Sequence, residues 1–366
     1  MKWKQQIYEM KAYLPGKPIE EVKKEFGLDE VVKLASNENP YGFSPKVEAF
    51  LASDHSNHAI YPDGYAQELR TAVANHLNVK ETNVIFGNGS DDLIAIITRA
   101  LLYPGVNTVM ATPSFSQYRH NAEIEGAEVR EIPLQNGKHD LVAMLDAIDE
   151  NTSVVWVCNP NNPTGTIVND DDLQNFLKKV PTEALVVLDE AYFEYVNSSG
   201  HKDSLSYINE YPNVIILRTF SKAYGLASFR VGYGIAQEET IAKLDAVRAP
   251  FNNTILSQKA AIIALEDQDF INECKERNED GKKQFVQFCE KHGLKYYPTE
   301  TNFILFEVKA DSDVVFKEMM KRGFIIRSGN ALGVREFIRV TIGTVEQNDK
   351  FLTLLEEVLT EQGVFA

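Results

Sequence analysis

The sequence predicts an α/β fold: a large domain built on a mostly parallel, seven-stranded sheet between helices, followed by a smaller α+β domain. Three observations predict it. Seven short runs rich in β-branched and aliphatic residues, at 84–86, 108–112, 129–132, 154–158, 184–188, 214–217 and 231–235, alternate with amphipathic helical stretches such as 91–102 and 170–180. Several of these runs are apolar throughout, as strands covered by helices on both faces must be; a strand with one wet face would alternate. After about residue 250 the rhythm changes.

That change defines the second unit. A long helix is expected over 256–292, polar along one face. It is followed by an alternating strand at 302–306, a helix at 312–322, strands at 324–327 and 337–342, and a last helix at 345–362. Strands and helices interleaved in this way suit a smaller α+β layer. The first thirty-five residues hold a short helix near 20–26 and lead into the loop 36–42; the pattern leaves open which unit they pack on. The expected division is an arm over 1–35, a large domain over 36–255 and a small domain over 256–366.

Composition narrows the function classes. A chain of 366 residues, 44% apolar, can bury more than one core. Its 37 basic and 53 acidic residues give a net charge of −16, which repels nucleic acid and anionic membranes while leaving small anions open to a local basic cluster. No run of about 18 apolar residues could span a bilayer. Residues 1–10 carry Lys2, Lys4 and Glu9 without an apolar stretch, so no secretory leader is expected. Cys158, Cys274 and Cys289 are too few and too scattered for a disulfide framework or a thiolate metal site, and read as free thiols of a cytoplasmic protein. His55 and His58 form an H-x-x-H without an acidic companion and read as surface residues, so no metal is expected.

Four segments carry chemistry, each at the expected end of a strand, where open α/β sheets bind ligands. In Phe86-Gly87-Asn88-Gly89-Ser90-Asp91-Asp92, the glycines let backbone approach an anion and the first helical turn presents free amides. Taken alone, such a pattern is more often a capped turn. In 157–165, two prolines stiffen a loop whose Asn159, Asn161 and Asn162 supply amide donors and acceptors. In 186–192, an apolar strand ends in Asp189-Glu190-Ala191-Tyr192; an acid there is partly desolvated and calls for a cation, though alone it is a cap or an ordinary ion pair. In 219–232, Lys222 follows a strand, between hydroxyls and aromatics and eight residues before Arg230. Desolvation and a nearby cation both lower an amine's pKa, as a nucleophilic lysine requires.

In this order, Gly89-Ser90-Asp91, Asn162-Pro163-Thr164-Gly165, Asp189-Glu190-Ala191-Tyr192, Ser221-Lys222 and the late Phe337-Ile338-Arg339-Val340-Thr341-Ile342-Gly343 resemble the fold-type I pyridoxal-phosphate enzymes, specifically the class I/II aminotransferases. The resemblance covers nearly the whole chain. Residues 34–42 and Tyr61-Pro62-Asp63-Gly64 make it similar to the branch that acts on histidinol phosphate. The resemblance implies that Lys222 carries pyridoxal 5′-phosphate and moves a proton at the substrate α-carbon. Asp189 keeps the ring nitrogen protonated, while Asn162 and Tyr192 bond the ring's phenolic oxygen. Phe115 stacks on the ring where relatives carry Tyr. Gly89, Ser90, Asp91, Thr219, Ser221 and Arg230 hold the phosphate, and Tyr61 arrives from the second subunit of a homodimer. Arg339 binds the substrate's anionic group, and Tyr13 and Asn37 close over the substrate. Arg327 and Arg335 flank the same strand and read as solvated charges, with selection of a phosphate as the other reading. The implied reaction is transfer between L-histidinol phosphate and 2-oxoglutarate in histidine biosynthesis. The alternatives are an aromatic aminotransferase and a threonine-phosphate decarboxylase. A cofactor-sensing regulator is disfavoured, since only about thirty residues precede the loop 36–42 and the chain is acidic.

Overall fold

A computed structural model describes residues 1–10, 16–198 and 203–365. The short strand β1 (Val32–Lys33) comes first. It is followed by β2 (Val84–Gly87), β3 (Asn107–Thr112), β4 (Glu128–Pro133), β5 (Thr152–Cys158), β6 (Leu185–Asp189), β7 (Val214–Thr219) and β8 (Gly232–Ala236). β2 to β8 form a seven-stranded sheet in the order β2-β8-β7-β6-β5-β3-β4. β8 runs antiparallel to both neighbours, and the remaining pairs are parallel. The central strands are buried on both faces. Val155, Val157, Val186, Leu188, Val214 and Ile216 enter one core, and Val154, Trp156, Val187, Ile215 and Leu217 enter the other. This is why their sequences read as continuous apolar runs.

β9 (Phe303–Glu307), β10 (Phe324–Ile325), β11 (Arg327–Ser328) and β12 (Phe337–Thr341) belong to the second unit. β12 lies between β11 and β9, antiparallel to both, under the helices Gln268–His292 and Val345–Glu361. The single strand expected at 324–327 is two pieces. β10 pairs parallel with β1, and β11 pairs with β12. The pairing of β1 with β10, together with the packing of Val22 and Ala35 on Met320 and Ile325, ties the N-terminal segment to the second unit.

Helix boundaries depart from expectation in two places. The helix expected over 256–292 is broken at Asp267 into Ile255–Glu266 and Gln268–His292. The Asp267 carboxylate accepts from Ser44 Oγ at 2.5 Å and Lys46 Nζ at 2.8 Å, an alternative to helical pairing that aspartate offers readily. The helix expected over 170–180 ends at Leu177, ahead of Pro181, whose ring disfavours helical backbone at the residue before it. Among the described residues, no helix is long and apolar enough to cross a membrane, and no group of histidine, cysteine or acidic residues could hold a metal ion. His58 stands 3.3 Å from Asp54.

Candidate active site

The carboxyl ends of β5, β6 and β7 converge on one hollow. β6 ends at Asp189, which is only 3% exposed and lies opposite Cys158 of β5. Its Oδ2 accepts the phenol of Tyr118 at 2.6 Å, and its Oδ1 accepts the Ala191 amide at 3.2 Å. Burial pushes the carboxyl up to about 6, against the pull of Tyr118. Among the described residues it has no ion-pair partner. Tyr118 escapes a reading of sequence alone; the available signal is the one aromatic of the mostly polar helix Gln117–Glu125, four residues before Ala122 on the same buried face.

Lys222 follows β7 on a turn closed by the Gly225 amide donating to the Lys222 carbonyl at 3.0 Å. The residue is half-buried, and its Nζ donates to the Ser36 carbonyl at 2.9 Å and lies 5.9 Å from the centre of the Tyr192 ring. Burial first, and the Arg339 charge second, bring the amine down to about 8; Arg230, the cation that spacing alone would choose, contributes less.

The asparagine-rich loop divides its labour. Asn159 and Asn161 are buried and hold the loop itself. Asn159 Oδ1 accepts from the Val168 amide at 3.0 Å, and Asn161 bonds Ser114 and Thr164 at 2.8 and 2.9 Å. Asn162 faces the hollow, with its Nδ2 3.5 Å from Tyr192 Oη and its Oδ1 accepting from Arg339 Nη1 at 2.6 Å. Tyr192 Oη also accepts from Asn37 Nδ2 at 2.8 Å, and burial raises its pKa, so it remains a phenol. Asn37, in left-handed backbone at φ 56°, is fixed by its amide on Thr341 Oγ1 at 3.0 Å. Arg339 donates its second amino group to the Ala35 carbonyl at 2.7 Å. The β11–β12 register sets Arg327 directly opposite Arg339, while Arg335 is exposed beyond the strand.

Beside Lys222 is an anion cradle. Gly89, at φ 83°, precedes the helix Ser90–Leu101, whose first turn has no side-chain cap. Arg230 Nη1 donates to Ser221 Oγ at 3.2 Å and Nη2 approaches the Asn88 carbonyl at 3.4 Å. Thr219 Oγ1 accepts from the Ser221 amide at 3.1 Å. A Cβ at position 89 would meet the Arg230 guanidinium, and the left-handed φ would strain any other residue, so glycine lets the start of the helix and the arginine come this close. Phe115 is half-buried, edge-on to Tyr118 with centroids 5.6 Å apart.

One expected residue stands apart, and one is not described. Tyr61 is 79% exposed and stacks on Phe251, with centroids 4.7 Å apart. Tyr13 lies outside the described residues. Behind the Lys222 loop is a cavity of about 400 Å³, lined by Phe193, Glu194, Arg218, Tyr224, Tyr233 and Lys275; neither Lys222 nor Asp189 lines it. Its buried Arg218 pairs with Glu190 and Asp203 at 2.9 Å each and backs the site structurally.

A doubly covered sheet with one reversed strand, a lysine and a cation-free acid at its carboxyl edge, and an anion cradle between helix and arginine together define a fold-type I transferase. The chain belongs to the aminotransferase class I and II family, whose sequence model matches residues 29–355. It is 68% identical over 366 residues to the histidinol-phosphate aminotransferase of Lysinibacillus sphaericus, covering 100% of both chains. It is 55% identical over 362 residues to that of Geobacillus thermodenitrificans, covering 99% of each. Among solved structures, the Sinorhizobium meliloti histidinol-phosphate aminotransferase in complex with pyridoxal-5′-phosphate superposes with a TM-score of 0.89. The two share 27% identity, and the match covers 98% of both chains.

Proposed function

We propose that this chain is a pyridoxal-phosphate-dependent aminotransferase that moves the amino group of L-histidinol phosphate to 2-oxoglutarate, giving imidazole acetol phosphate and glutamate in histidine biosynthesis. The observation that carries the reading is Asp189, a buried carboxylate with no cation among the described residues, in the same hollow as a depressed lysine and an anion cradle. A protonated pyridine nitrogen supplies the missing charge, and a phosphate fills the cradle. Pyridoxal phosphate supplies a ring that takes up the electron pair left when the donor's Cα–H bond breaks.

The chain's own residues divide the remaining work. Asp189 holds a proton on the ring nitrogen. Lys222 anchors the cofactor and carries the proton between the substrate α-carbon and the cofactor's C4′. Asn162 and Tyr192 orient the ring through its phenolic oxygen, and Phe115 covers one ring face. The amides of Gly89, Ser90 and Asp91, the hydroxyls of Thr219 and Ser221, and Arg230 hold the phosphate. Arg339 takes the substrate's anionic group, and Asn37 closes over the substrate, a role the family resemblance also gives to Tyr13. The β11–β12 register sets Arg327 directly across from Arg339, and a phosphate monoester suits two such planar forks on one strand pair; this supports a phosphorylated donor. The chain acts as a cytoplasmic homodimer, in line with three buried free thiols and an exposed aromatic patch around Tyr61. Residues 36–255 form the cofactor-holding unit, and 256–366 with 1–35 close it.

A panel of amino donors tests the reading. Histidinol phosphate, phenylalanine and threonine phosphate are each supplied with 2-oxoglutarate, and glutamate and CO₂ are measured. Histidinol phosphate is expected to exceed phenylalanine in kcat/KM by at least about a hundredfold, without CO₂ release. Lys222→Ala is expected to abolish glutamate formation. Equal rates with phenylalanine overturn the substrate, and no glutamate from any donor overturns the reaction.

A further inference from the structure

Among the described residues, Asp189 has one side-chain hydrogen-bond partner, and that partner is held more firmly than hydrogen bonding alone requires. Tyr118 is fully buried. Its ring stacks on Trp156, with centroids 4.7 Å apart and planes 13° from parallel, and packs edge-to-face with Phe115. Trp156 is in turn fixed, its indole N–H donating to Thr108 Oγ1 at 2.8 Å and that hydroxyl donating to the Val154 carbonyl at 2.8 Å. A chain of contacts starting in β3 and β5 thus aims one phenolic O–H at Asp189 Oδ2.

We propose that Tyr118 is a positioning residue for the reaction: its phenol orients the Asp189 carboxyl and keeps it ionised, so that Asp189 presents a negative charge to the ring nitrogen. The proposal rests on the reading of Asp189 given above.

The surroundings explain why a donor is needed there. Among the described residues, the groups facing Asp189 include Tyr118 from the helix Gln117–Glu125, Cys158 from β5, Glu190 and Tyr192 from the following loop, and Asp91 from the start of the helix Ser90–Leu101. None of these is a cation. Asp91 and Glu190 oppose ionisation of Asp189, and burial opposes it more strongly; Tyr118 is the first influence in its favour, ahead of the Ala191 amide. Burial and the Asp189 charge push the Tyr118 phenol itself well above its usual range, so it remains a proton donor throughout the working range. A carboxylate has lone pairs left after accepting two bonds, so Tyr118 and a ring N–H can share the group.

The test titrates cofactor-free protein with pyridoxal phosphate from pH 5 to 9, in wild type, Tyr118→Phe, Asp189→Asn and the double variant, alongside thermal unfolding. Removing a donor that favours the carboxylate raises the pKa of Asp189, so the acid limb of affinity is expected to move up by about one pH unit. Binding then weakens by about threefold near pH 6.5 and approaches about tenfold at pH 5. In the Asp189→Asn background the limb that remains belongs to the ligand, and Tyr118→Phe is expected to change nothing further. A merely structural role lowers the unfolding temperature and leaves the limb in place, which overturns the proposal, as does an equal loss in both backgrounds. Should the phenylalanine variant fail to fold, 3-fluorotyrosine at position 118, a stronger donor in the same ring, is expected to move the limb down; an unmoved limb overturns the proposal. Asp189→Asn binding as tightly as wild type, with an unchanged limb, fails the reading of Asp189 instead.

Discussion

Asp189 and Lys222 are displaced from their ordinary pKa values in opposite senses, and both displacements favour the neutral form. Burial is the main cause in each case, which makes the pair costly to ionise until a ligand brings compensating charge. For Asp189 the sign follows from its shift from 3.8 to about 6. Between those two values the folded chain keeps a proton that the unfolded chain has released. Stability therefore falls as pH rises through this window and stays lower above it, by about 3 kcal/mol. Asp189→Asn in the cofactor-free protein is expected to raise unfolding stability by up to about 3 kcal/mol at pH 7.5 and to leave it unchanged at pH 4. Denaturant unfolding at the two pH values checks this; an equal effect at both removes the cause. Lys222 and Asp189 are legible in sequence because an ionisable residue just past an apolar strand is unusual. Tyr118 is not, because its partner is 71 residues away and nothing local to it marks the pairing.

At the scale of elements, the strands of the central sheet are readable because burial on both faces leaves only apolar positions. The division of 324–328 between two sheets is not, since one apolar run says nothing of which neighbour each half will find. The loop after β5 shows the same limit. Three asparagines look alike in sequence, yet two are sealed in the loop and only Asn162 reaches the hollow. The turn carrying Lys222 depends on Gly225, at φ 71°, packed against the loop 39–43. An added Cβ there would strike the Gly42 carbonyl oxygen and lie 2.7 Å from its carbon, both backbone atoms that cannot swing aside. Gly225→Ala is expected to cost about 2–4 kcal/mol of stability and to displace Lys222 from Ser36. Turnover then falls further than thermal stability alone explains. Activity retained with an unchanged unfolding temperature would mean that the two loops are free to separate.

For the whole molecule, the large apolar residues left in water are informative. Ile60, Tyr61, Tyr65 and Phe251 are all at least 45% exposed, and Tyr61 and Phe251 are in stacking contact. The next residues, Asn252 and Asn253, bond the Phe86 and Gly87 carbonyls at the base of the anion cradle, so the aromatic patch borders that cradle. In the proposed homodimer a second copy would cover the patch, remove it from water and bring its own Tyr61 to the phosphate site. Sedimentation at micromolar concentration is expected to give a dimer. Mixing Tyr61→Ala with Lys222→Ala chains is expected to restore activity that neither variant has, because the mixed dimer contains one intact site. A monomeric species with full activity excludes the arrangement.

The short pairing of β1 with β10 has a mechanical consequence. Leu34 is stitched into the second unit by its amide on the Ile325 carbonyl at 2.7 Å and by its carbonyl, which receives the Thr341 amide at 2.9 Å. Two residues later the same strand of chain offers its Ser36 oxygen to the amine of Lys222, which is rooted in the other sheet. One of the bonds joining the two sheets is therefore made by the Lys222 amine itself, beside the Arg339–Asn162 bond and the Glu300 amide on the Gly165 carbonyl. A motion that parts the two units pulls on that amine together with these bonds, and whatever releases the amine from Ser36 removes one of the ties between them.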